Sequence, residues 1–204
     1  MMRLPFVPGE GLCRKCGRAA PGLDGEFLCE DCRAHRPQYD RAATVFRFEG
    51  AARELVNAFK FRERLELRND LVDFLEAAAR VRFRVGEIGC VVPVPSTFGH
   101  RFLRGYNPCA VLARPLAKRL GLPCGRLLRR VGHPLRQGGL GEEERRKNVV
   151  GTFAARPSAS LPETVLLVDD IMTTGSTLSE AAKTLKAAGV GRVWTVALAR
   201  SARC

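Results

Sequence analysis

With 204 residues, 46% hydrophobic and 27% charged, the chain has the length and composition of one ordinary globular domain plus a small appendage. It contains no run of eighteen apolar residues, and its N-terminus, MMRLPFVPGEGLC, has no apolar core of the export type, so a membrane-spanning helix is excluded and a cytoplasmic location is predicted. The formal charge is +13, from 34 Lys and Arg against 21 Asp and Glu; twelve of the basic residues and only three acids fall between 101 and 147. Such a field suits phosphate-bearing partners, whether a small polyphosphate or nucleic acid.

The first predicted element is built on cysteine. Cys13 and Cys16 form one CxxC, Cys29 and Cys32 another, twelve residues apart. Two tight turns can aim four thiolates at one point, and Gly17 suits the positive φ such a turn needs. The expectation is a structural zinc with four protein ligands and no open position, over residues 1–38; iron is the alternative for the same donors. Two disulfides would need an oxidising compartment. His35 is expected at the surface, Cys90 in the core, and Cys109, Cys124 and Cys204 are assigned no role.

From 39 to 204 strands and helices alternate. RAATVFRFEG reads as a strand, ARELVNAFKFRER as a helix with Leu55, Val56 and Phe59 inward, and LRNDLVDFLEAAARVRF as a longer helix with Leu71, Phe74, Leu75 and Ala78 on one face. GCVVPVP is a short buried strand. A helix follows, with Asn107 as N-cap, Pro108 at its first position and Pro115 predicted to kink it. Residues 129–150 are polar, basic and Gly-rich without periodicity, which predicts a functional loop. VVGTFAA and TVLLV are strands, LSEAAKTLKAAG is a helix closed by Gly189, and RVWTVALAR is the last strand. The alternation predicts an α/β fold with a mostly parallel sheet covered by helices on both faces.

The most informative stretch is VLLVDDIMTTGSTLSEAA, residues 165–182. In open parallel sheets ligands bind at the carboxyl ends of strands, where Asp169 and Asp170 are expected. Thr173, Thr174, Gly175, Ser176 and Thr177 then open a helix, and their backbone N–H groups and hydroxyls make an anion cradle at its N-terminus. Gly175 is expected to let the backbone approach an oxyanion. Carboxylates beside a phosphate cradle can accept bonds from sugar hydroxyls, so the implied ligand is a ribose phosphate. The Walker A pattern is absent, which argues against a P-loop NTPase.

Residues 165–177 resemble the signature of the type I phosphoribosyltransferases. The resemblance implies that Asp169 and Asp170 hold the ribose 2′- and 3′-hydroxyls of phosphoribosyl pyrophosphate (PRPP) and that residues 173–177 bind its 5′-phosphate. Magnesium would be held mainly by the ligand's own oxygens. The order of the four-cysteine ribbon, VPVP, RGYN, ERRKNVVGTF and DD–TTGST further resembles the ComF family, bacterial proteins of phosphoribosyltransferase fold, some of them associated with competence for DNA uptake. By that resemblance residues 96–101 form a pyrophosphate loop with Arg101 and Arg104 as ligands, and a closing loop brings Arg145, Arg146 and Lys147. Family members often carry RGFNQ where this chain has RGYNP. The implied function is transfer of phosphoribosyl to an unknown acceptor, with other competence proteins as partners. The competing reading is a single-stranded-DNA-binding protein that uses the fold as scaffold.

Overall fold

Residues 164–172 form one strand because a run of branched apolar residues suits a position buried on both faces of a parallel sheet. The structure, a computed structural model, describes residues 6, 11–20, 25, 27–61, 64–96, 105–132, 144, 148–158 and 160–201. Its elements are α1 (Glu30–His35), β1 (Arg41–Arg47), α2 (Gly50–Phe61), α3 (Arg68–Arg82), β2 (Cys90–Pro93), α4 (Pro108–Leu120), β3 (Leu128–Arg130), β4 (Phe153–Ala155), β5 (Thr164–Met172), α5 (Ser176–Ala187) and β6 (Arg192–Arg200), with single 3-10 turns before α3 and β2. β1, β6, β5 and β2 form a parallel sheet in that order, and β3 pairs antiparallel with β4. Residues 123–125 flank β2 on its far side, where Val91 N–H donates to Pro123 O and Gly125 N–H to Val91 O, both at 2.9 Å. No described helix is long and apolar enough to cross a membrane.

Alternation along the strands divides the interior in two. Leu166 and Val168 join Val91, Trp194, Val196 and Leu198 in a core covered by α2, α3 and α4. Val165 and Leu167 join Val92, Val193 and Ala197 in a second core, covered by α5, β3, β4 and the four paired cysteines. The expected double-sided α/β architecture is present. Each fully buried Leu or Val contributes roughly 1.5–3 kcal/mol, so both cores hold β5 in place.

Two local expectations are corrected. The face of α3 that becomes fully buried is Leu71, Val72, Leu75 and Ala79, with Phe74 and Ala78 only partly covered, because α3 packs against both the sheet and α4. α4 is continuous from Pro108 to Leu120 with Pro115 inside it, and Leu112, Ala113, Leu116 and Ala117 around the proline are buried. Residues 129–130 belong to strand β3, not to a loop; residues 133–143 and 145–147 of that predicted loop lie outside the described residues.

Candidate active site and metal centre

β2 and β5 diverge where the site lies. Their pairing ends at Pro93 opposite Val168, and Val94 N–H still donates to Val168 O at 3.0 Å. β5 continues for four residues along β6 alone, so Asp169 and Asp170 are part of the strand and not of the turn after it. From β2 the chain passes through α4 on one face to residues 123–125; from β5 it passes through α5 on the other face to β6. Outgoing connections on opposite sides leave a crevice between the two strand ends, the place where open α/β sheets bind ligands.

Two residues of the RGYN motif fix the walls of this crevice. Asn107 caps α4 by accepting from Cys109 N–H at 3.1 Å, as expected, and its Nδ2 donates to Val94 O at 3.0 Å. Tyr106 Oη donates to Phe59 O at 2.8 Å, tying the entrance of α4 to the end of α2.

The aspartates are each only 8% exposed and carry different partners. Asp169 Oδ1 accepts from the Cys109 thiol at 3.3 Å and from Asp170 N–H at 2.9 Å. Asp170 Oδ1 accepts from Ile171 N–H at 2.7 Å, and its Oδ2 pairs with Lys60 Nζ of α2 at 2.9 Å. Burial, reinforced by the charge of Asp170 and opposed by Lys60, pushes the Asp169 carboxyl up to about 7. Burial and the neighbouring carboxylates likewise push the Cys109 thiol well up. Lys60 and Cys109 are site residues the sequence did not reveal.

The loop after β5 forms the other wall. Thr174 Oγ1 accepts from Ser176 N–H at 3.3 Å and lies 2.8 Å from Ser176 Oγ. The N–H groups of Thr177 and Leu178 have no acceptor among the described residues, as the first turn of a helix leaves them. With Thr173 exposed, residues 173–177 present hydroxyls and free N–H donors, the chemistry that takes an oxyanion. Gly175 has φ +78°, and a Cβ on it would point into the protein, 2.8 Å from Met172 Cε and 3.0 Å from Tyr39 Oη. The glycine is therefore required by backbone conformation and by packing behind the loop, a reason different from the ligand approach expected of it. Arg101, Arg104 and Arg145 lie outside the described residues, as do Arg146 and Lys147.

Behind this loop sit the four cysteines. All are buried, and their Sγ atoms lie within 4.8 Å of one another. Cys16 and Cys29 Sγ are 3.7 Å apart, close to the ~3.8 Å edge of a tetrahedron with metal–sulfur bonds of about 2.3 Å. Cys29 N–H points at Cys13 Sγ at 3.4 Å, a donor that favours thiolate. The donor set fits a tetrahedral thiophilic metal. Mutual bonding within the cluster lowers the Cys13 thiol and raises those of Cys16 and Cys32. His35 is exposed and outside the cluster.

The cluster is fastened to the sheet. Gly17 has φ +67°, and a Cβ there would stand 2.6 Å from Ala42 O of β1. Buried Arg200 donates to Cys16 O at 2.7 Å and approaches Met172 Sδ at 3.6 Å. Arg82 donates to Cys13 O and Arg14 O at 2.9 and 2.8 Å. A cavity of about 200 Å³ between cluster and loop is lined by Cys16, Cys32, Tyr39, Gly175, Ser176 and Arg200, among others.

Residues 107–204 match the phosphoribosyl transferase domain family, a range that holds both aspartates and the 173–177 loop but not the cysteine cluster. Over 179 residues the chain is 31% identical to Competence protein F of Haemophilus influenzae, covering 85% of this chain and 78% of that protein. The chain belongs to the ComF family. Two further relatives fit the ComF assignment: DNA utilization protein YhgH of Escherichia coli (strain K12), 25% identical over 98% of this chain and 96% of that one, and its namesake in Salmonella typhimurium, 28% identical over 93% and 84%. Among solved structures, orotate phosphoribosyltransferase from Aeropyrum pernix matches with a TM-score of 0.36 and 23% identity over 66% of this chain; the match spans 58% of that chain.

Proposed function

We propose that this chain is a cytoplasmic ComF protein that binds PRPP with magnesium and transfers its phosphoribosyl group to an acceptor, in the service of DNA uptake and alongside other competence proteins. The observation that carries the reading is the pairing of two buried carboxylates with an open helix N-terminus at the β2–β5 crevice. Asp169 and Asp170 accept the two ribose hydroxyls. Residues 173–177 take the 5′-phosphate. Arg101, Arg104 and Arg145 neutralise the pyrophosphate. Magnesium would be held mainly by the ligand's pyrophosphate and ribose oxygens and would neutralise part of their charge. Displacement at C1 breaks the bond to pyrophosphate as the acceptor's lone pair forms the new one, and arginines stabilise the charge that develops on the leaving group. Residues 1–38 form a structural zinc ribbon and 39–204 the transferase domain in this reading; the cysteine geometry supports the zinc, and the family match over 107–204 lies within the second unit.

The ribose hydroxyls are the discriminating groups. Thermal-shift titrations with ribose 5-phosphate and 2-deoxyribose 5-phosphate should show the first raising the melting temperature at roughly tenfold lower concentration, since a buried acceptor left unpaired costs ~1–3 kcal/mol. Equal response to both sugars would contradict the assignment of the aspartates. Transfer itself is read as pyrophosphate release that depends on an added base or amine.

A further inference from the structure

Arg200 is a charge in a place that apolar strand patterning would give to a hydrophobic residue. It ends β6, which lies between β1 and β5 in the sheet, and it is only 8% exposed. Phe48 N–H donates to Arg200 O at 2.6 Å and Ser201 N–H to Met172 O at 3.0 Å, so strands on both sides fix its backbone. Among the described residues it has no ion-pair partner. Its contacts are neutral: Nη1 donates to Cys16 O at 2.7 Å and lies 3.6 Å from Met172 Sδ. Two carboxylates line the same cavity but are engaged elsewhere. Asp31 pairs with Arg18 at 2.6 Å, and Glu180 accepts from Gly151 N–H at 2.8 Å. Arg82, which also donates to the backbone of the cysteine unit, is half-buried and keeps contact with water.

A buried guanidinium with neutral partners is costly, because it keeps its proton at any working pH and has given up its water. The compensating charge lies with the cysteines. Four thiolates around a divalent cation carry two net negative charges, and here all four cysteines are buried. Such a group needs a cation near it as much as Arg200 needs an anion. The guanidinium sits on the main-chain carbonyl of one of the four, and it lines the cavity of about 200 Å³ together with Cys16 and Cys32. A bond to Cys16 O alone would call only for a neutral donor, which spares the cost of burying a charge.

We propose that Arg200 is the counter-charge of a metal–tetrathiolate group, a positioning residue that holds the metal through its positive charge and not through its hydrogen bond to Cys16. The proposal rests on metal occupancy of the four cysteines and is independent of the PRPP reading. The same side chain touches Met172, whose Cε packs behind Gly175, so the metal unit and the 173–177 loop share one support.

The test compares the full-length wild type with Arg200→Lys, which keeps the charge, and Arg200→Gln, which keeps a donor for Cys16 O without it. Arg200→Met, neutral and able to fill the space against Met172, supplies a second neutral variant should the Gln variant fold poorly. Zinc affinity is read by competition with a chelating dye, and cobalt(II) is loaded as a spectroscopic stand-in. The neutral variants should bind zinc roughly 10–100-fold more weakly, the usual cost of losing a partner that supports the ligands. Their thiolate-to-cobalt charge-transfer band should move to longer wavelength, since sulfur without a cation nearby gives up electron density more readily. Arg200→Lys should stay near wild type in both readouts. Wild-type affinity and band position in the neutral variants, or equal weakening in the Lys and neutral variants, would overturn the counter-charge while leaving the metal in place. A wild type that holds neither zinc nor cobalt would overturn the metal reading and this proposal together.

Discussion

Asp169 shows how burial of one carboxyl can work against stability. Its carboxyl is raised to about 7 because burial and Asp170 outweigh Lys60, whereas an unfolded aspartate titrates near 3.9. Between those values the native state keeps a proton that the unfolded chain has released. Stability therefore falls as pH climbs from about 4 to about 7 and is level above, the penalty being fully present in the alkaline range. In ligand-free protein, Asp169→Asn should flatten that part of the curve and melt above wild type at pH 8, by a margin on the order of a few kcal/mol. Melting curves of both proteins at pH 5 and pH 8 check this, and parallel declines would contradict it. The aspartates and the TTGST loop were legible because they are contiguous. Lys60 and Cys109 were not, since they reach the carboxylates across 110 and 60 residues and only the fold brings them there.

At the scale of elements, periodicity located the helices and the central strands because their burial is one-sided or complete, although it misassigned part of the buried face of α3. β3 escaped it: Leu128–Arg130 is a three-residue strand with two arginines, paired only with β4 in a separate two-stranded sheet, and so short a strand has no apolar alternation to read. Spacing revealed that the four cysteines gather at one point, but not how the unit is joined to the site. Arg200 from the last strand and Arg82 from α3 hold its backbone, and Tyr39 bridges the cluster's neighbourhood to Gly175. These links predict that stripping the metal is felt beyond residues 1–38. A chelator should release zinc, detected with a colorimetric dye, and lower the melting temperature of the whole protein, since metal binding supplies the folding free energy of so small a unit. Zinc release with an unchanged melting curve would show the ribbon to be an independent attachment.

The whole molecule is two cores on either side of one sheet, with the crevice at the end where β2 and β5 part. α2, α4 and the RGYN residues hold one wall; α5, Tyr39 and the cysteine unit hold the other. That arrangement follows from alternation of strands and helices, which the sequence displays. The contact of Arg200 with Cys16 does not, because it spans 184 residues of chain. The central claim is that the crevice is a working ribose-phosphate site. Its most direct test is a calorimetric titration of the zinc-loaded protein with PRPP and magnesium, beside the Asp169→Asn, Asp170→Asn variant. Saturable binding by wild type, lost or weakened at least roughly tenfold in the variant, is the expected result; undiminished binding in the variant, or none in the wild type, would contradict it.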